Sequence, residues 1–180
     1  VLIQVLLYLI PWFSSFSMQS LMPIFALDIL KVDARGYGWL LTALGLGSVI
    51  SLVGLASIGN YIHKGMILII SGVLLGLFTA GFGASQSFLL SLILQVFYGI
   101  MSNTFSTVNT AVVQELIPDS VRGRIMSFRE ITMALGTGGS LLAGFMAEFT
   151  GVRLAIMLLG LFSLVVTLSL YWALPHLKKI

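Results

Sequence analysis

The chain contains no cysteine. Disulfides, thiol nucleophiles and thiolate metal sites are therefore excluded. Histidine is almost as scarce. His63 and His176 lie far apart, near the ends of apolar segments, and give no metal-ligand spacing. Charge is scarce too: 8% of residues are charged, against about 25% in a soluble domain. The formal net charge is +3 and the cations form no stripe, which removes nucleic acid as a partner. No Asp or Glu stands near the middle of any apolar run. A secretory signal is also lacking, because VLIQVLLYLI has neither a basic front nor a small-residue cleavage site. A chain opening at Val1 inside an apolar run is expected to be part of a longer protein.

What remains is apolar: 58% of residues are hydrophobic and the mean hydropathy is +1.10. A hydrocarbon core of roughly 30 Å is crossed by about 20 helical residues. Barrel strands would alternate apolar and polar residues, and these segments are continuously apolar. An all-α membrane protein follows, with one domain over 1–180 and six spans at about 1–28, 38–58, 66–84, 88–115, 124–148 and 153–174. Pro11 and Pro23 fall inside the first span, where a membrane helix tolerates a kink.

Short loops on one side hold Lys64, Arg122, Arg124, Arg129, Lys178 and Lys179, whereas the other side holds Lys31, Arg35 and Arg153. The richer side is expected to be cytoplasmic, with both termini there. A multi-pass protein of the cell (inner) membrane is the resulting expectation. Trp39, Tyr37, Tyr171 and Trp172 sit at span ends, as interfacial rings do.

The densest charge lies in QELIPDSVRGRIMS, residues 114–127. Pro118 ends the fourth span, and Asp119 or Ser120 can cap the fifth. Glu115 stands at a helix C-terminus, where the dipole disfavours a carboxylate, and Arg122 is its nearest cation in sequence. Two readings stand: a solubilising positive-inside loop, or a gating network of Glu115, Arg122, Arg124, Arg129 and Glu130 that holds the cytoplasmic ends together. Arg129, about 7.5 Å into its span, can snorkel back to the interface.

Polar residues are distributed unevenly. The fourth span carries Gln95, Asn103, Ser106, Thr107, Thr110 and Gln114, among others, while the third has only Ser71 and Thr79 inside it. At 100° per residue, Asn103, Thr107, Thr110 and Gln114 fall within about 60° of one another. Gln4, Tyr8, Ser15 and Gln19 make a similar stripe in the first span. These stripes either line a polar cavity or join helices by hydrogen bonds. With Phe97, Tyr98 and Phe105 nearby, such a cavity would suit an amphiphilic organic molecule. Gly136, Ser140 and Gly144, like Gly72 and Gly76, repeat every four residues and are read as helix-packing positions.

In order and spacing these segments resemble the C-terminal half, helices seven to twelve, of a major facilitator superfamily transporter. The pattern Glu115, Pro118, Arg122, Gly123, Arg124 resembles that family's loop between helices ten and eleven. MPIFALDIL with GYGWLLTALGLGSVISLVG resembles its helices seven and eight, and Gly136, LLAG and Gly151 resemble helix eleven and its turn into twelve. The similarity is greatest to bacterial siderophore and macrolide exporters. The loop GNYIHKG departs from the family by carrying no acid.

The resemblance implies a six-transmembrane-helix bundle, one half of a twelve-helix fold. It implies alternating access, small-molecule efflux, and a partner half that holds any proton-coupling acid. No enzyme activity or cofactor is expected. A standalone six-helix protein that dimerises as a carrier or channel is the alternative. An intramembrane serine protease, built on Ser85 or Ser140, lacks a histidine within a span to serve as base.

Overall fold

Apolar runs of this length fold as helices in lipid, where every backbone polar group must be satisfied within its own segment. A computed structural model of the protein describes residues 17–58, 64–116, 123, 127 and 137–173. Among these, all regular structure is helical. Helix α1 covers 17–24 and widens into a π turn, Phe25–Ile29. It is followed by α2 (Ala34–Ile58), α3 (Lys64–Ala84), α4 (Phe88–Leu116), α5 (Thr137–Thr150) and α6 (Val152–Ala173). Segments within α2, α3, α4 and α6 are long and apolar enough to cross a membrane.

Local chemistry sets the ends. Pro23 has no N–H to give to the helix, and the π turn begins two residues later. Its end is closed by Leu30 N–H to Phe25 C=O and Val32 N–H to Ala26 C=O, both 3.1 Å. Lys31 then turns the chain with a left-handed φ of 54°. The Asp33 carboxylate accepts from the N–H of Gly36 at 3.0 Å, capping α2. That cap starts the second helix at Ala34, four residues before the expected boundary. Lys64 and Gly65, expected in a turn, are the first residues of α3. Gly151, at φ 83°, joins α5 to α6 and donates to Ala147 C=O at 2.9 Å.

The helices pack as α3 on α6 and α2 on α4, with α4 also against α3 and α5 against α6. Glycines bring the first two pairs to backbone contact. A Cβ on Gly160 would meet the backbone of Ala80 and Gly76, and one on Gly76 would meet Leu164 and Gly160. Gly47 and Gly99 do the same between α2 and α4. The main core takes side chains from all six helices, including Met22 and Phe25, Leu40, Leu75 and Phe82, Tyr98, Ala143 and Ile156. Phe25 and Phe82 have ring centroids 4.7 Å apart. A smaller core of Leu68, Phe105, Val108 and Val112 lies towards the other end of α3 and α4.

Outward faces are also apolar: Val49, Val53, Met66, Leu89, Leu141 and Val165 are all exposed. In water such surface would drive aggregation. In a bilayer it is the lipid-facing surface.

Candidate functional site

α4 is the polar helix, and it carries two stripes. Asn103, Ser106 and Thr110 are half-buried and Thr107 and Gln114 exposed, all on the side turned away from the core. Thr107 Oγ1 donates to Asn103 Oδ1 at 3.2 Å, and Thr110 Oγ1 donates to Ser106 C=O at 2.7 Å. The expected grouping of Asn103, Thr107, Thr110 and Gln114 on one side therefore holds geometrically. Thr104, beside them, reaches α2 through a 2.8 Å hydrogen bond with Ser51.

The other stripe faces inward. Ser91, Gln95, Tyr98, Phe105 and Asn109 recur at helical spacing and are all buried. Gln95 is 0% exposed, and its amide N–H meets the sulfur of Met22 on α1. It joins α1 to α4, at the edge of the polar face. Tyr98 and Phe105 belong to the cores, and Phe97 stacks on Phe78 of α3 at 5.3 Å. Of the three aromatics expected beside the polar stripe, Tyr98 and Phe105 are thus buried, while Phe97 remains exposed. Sequence periodicity missed this because polar residues fall on both sides of α4.

On α1, Gln19 is exposed; Gln4, Tyr8 and Ser15 lie outside the described residues. Arg122, Arg124, Arg129, Glu130 and Gly136 also lie outside them. Gly72 and Gly76 both face α6, where a Cβ on Gly72 would meet Thr167. The fifth-span stripe is described only at Ser140 and Gly144. A Cβ on Gly144 would meet nothing within 4 Å, and Ser140 is half-buried. Gly139 and Ala143, the neighbouring small pair, face the core instead, and Ser17 Oγ donates to Gly139 C=O at 3.0 Å.

Glu115 is paired with Lys64, Nζ to Oε2 2.7 Å, while Arg122, its expected partner, lies outside the described residues. Each charge stands at the unfavourable end of its own helix and beside the favourable end of its neighbour's. Pairing across α3 and α4 resolves both conflicts. The pair joins residues 51 apart in sequence, so proximity along the chain could not reveal it. At the opposite end Arg153 donates to Ala84 C=O at 2.8 Å, tying the start of α6 to the end of α3. The Ser85 hydroxyl is engaged there as well, accepting from Ser91 and donating to Ser87 C=O.

The described helices thus carry a salt bridge at one end of α3 and an arginine hydrogen bond to a backbone carbonyl at the other. Residues 6–179 match the family model of the Major Facilitator Superfamily. The chain belongs to that superfamily. No curated protein and no solved structure matches it. Membership makes this facilitator a membrane-embedded secondary transporter that moves a small molecule. The facilitator's exposed α4 face carries uncharged polar groups. Its buried α4 face instead joins the helices to each other.

Proposed function

We propose that this chain is the C-terminal six-helix half of an efflux carrier that works by alternating access. Its spans are those of 1–180, including the first and fifth helices that the described residues cover only in part. A second six-helix half closes the cavity over α4 and α1. The cavity is lined by Asn103, Ser106, Thr107 and Thr110 with Gln4, Tyr8, Ser15 and Gln19. The carrying observation is the polar stripe of α4, half-buried at Asn103, Ser106 and Thr110 and exposed at Thr107, in a chain whose exposed surface is largely apolar. Exposing such groups to lipid is unfavourable, so a second surface or a solute must cover them.

The lining has hydroxyls and amides but no charge, which suits a neutral or weakly polar organic molecule over an inorganic ion. The Lys64–Glu115 pair supports a charged gate at the ends carrying Arg122, Arg124, Arg129 and Glu130. The balance of Lys and Arg supports a cytoplasmic location for that end and for both termini, in the inner membrane. Proton coupling, if the carrier uses it, draws its acid from the other half. Transport assayed in cells with Asn103→Leu tests the reading. Lost or altered transport with normal membrane insertion is expected; unchanged transport removes Asn103 from the cavity.

A further inference from the structure

Asn109 sits on the buried stripe of α4 at 1% exposure. Neither its amide nitrogen nor its amide oxygen has a hydrogen-bond partner among the described residues. An asparagine amide can make up to four hydrogen bonds, and native interiors almost always satisfy such groups. Two buried hydroxyls towards the same end of α3 and α6 are already committed. Ser71 donates to Ile67 C=O on α3, and Thr167 donates to Ser163 C=O on α6. Around Asn109 on its own helix stand Phe105, Val112 and Val113, all buried and apolar. Asparagine is also a poor helix former. In a helix packed in one fixed way, leucine would serve better on every count.

We propose that Asn109 is a state-dependent hydrogen-bonding residue, without a partner among the described residues in the conformation seen here and paired when the helices around it shift during transport. This rests on the alternating-access reading above. The amide is a penalty on one state and a bond in the other, so it biases the equilibrium between them. An unmade buried hydrogen bond is worth about a factor of ten or more in population. Removing the amide therefore moves the two-state ratio by about tenfold towards the present conformation. Gln95, by contrast, has the Met22 sulfur against its N–H, and Ser163 leaves only one buried group, its hydroxyl, without a partner among the described residues.

This chain has no native cysteine, so in the complete carrier, with any cysteine of the second half replaced by serine, a single reporter is introduced at Thr107, on the exposed face of α4. The protein is embedded in right-side-out and inside-out vesicles, and labelling by a membrane-impermeant maleimide is timed from each side. Alternating access predicts labelling from both sides. Adding Asn109→Leu is expected to change the ratio of the two rates by about tenfold. Asn109→Ala, which removes the amide without filling its space, shifts the ratio in the same direction, and Ser163→Ala leaves it unchanged. A reporter labelled from one side only sinks the alternating-access reading and this proposal with it. Labelling from both sides, at a ratio that Asn109→Leu and Asn109→Ala leave unchanged, overturns the role of Asn109 alone. An equal shift from Ser163→Ala also overturns it, because any loss of buried polarity would then suffice.

Discussion

Replacing one glycine by alanine should have opposite effects at two positions of this protein. At Gly160 an added Cβ would sit against the Ala80 nitrogen, 2.8 Å from the Ala80 Cα and 2.8 Å from the Gly76 carbonyl oxygen. All three are backbone atoms in helices, so none can rotate aside. Carbon contacts are comfortable at about 3.5–4.0 Å, so α3 and α6 must part by roughly 1 Å. A gap of that size forfeits a quarter to a half of each dispersion contact along the seam. Overpacking of this kind costs about 1–3 kcal/mol. The better helix propensity of alanine returns about 1 kcal/mol. The net loss is about 0–2 kcal/mol, and Gly160→Val, which gains less propensity and adds more bulk, should lose more.

At Gly144 a Cβ meets nothing within 4 Å, so only the propensity gain of about 1 kcal/mol remains. Thermal unfolding of the detergent-solubilised protein, followed by tryptophan fluorescence, gives the order Gly160→Val below Gly160→Ala, below parent, below Gly144→Ala. A Gly160→Val variant as stable as the parent would show that α3 and α6 do not meet backbone to backbone. Destabilisation by Gly144→Ala would restore the packing stripe that spacing alone suggested for α5.

Three further outcomes are expected. Lys64→Gln and Glu115→Gln should each cost no more than about 1 kcal/mol, because the pair is partly exposed (24% and 60% for the two side chains); a double-mutant cycle on thermal stability with zero coupling would refute the pairing. Asp33→Ala should cost about 0.5–2 kcal/mol through loss of the α2 cap, and Asp33→Asn should recover most of it, with urea or heat unfolding as the readout. Gln95→Leu removes a fully buried amide whose oxygen has no partner among the described residues, so stability should hold or rise; a loss above about 2 kcal/mol, the size of a buried group left unsatisfied, would mean that the amide is well bonded in the membrane.

Much of the candidate site was legible because it depends on one helix. The 3.6-residue repeat alone puts Asn103, Thr107, Thr110 and Gln114 together, and the structure leaves that face open. Aromatic neighbours were misplaced for a related reason. Phe105 lies one position from Thr104 and Ser106 in sequence, yet adjacent helical residues point about 100° apart, and Phe105 is buried. The fold class was legible too, since continuous apolar segments bounded by charged or proline-bearing turns admit few arrangements in a bilayer.

By itself the sequence determined where helices run, which helix is polar and where charge gathers, because those follow from transfer free energy and backbone periodicity within one segment. Only the tertiary structure decided which side of each helix faces a neighbour. Lipid and protein core are both apolar, so hydropathy cannot separate them, and Gly139 with Ala143 looks no different from Ser140 with Gly144. It also decided the partners of charges. Lys64 meets Glu115 because α3 and α4 are antiparallel neighbours whose ends coincide, a fact of packing that no local spacing encodes.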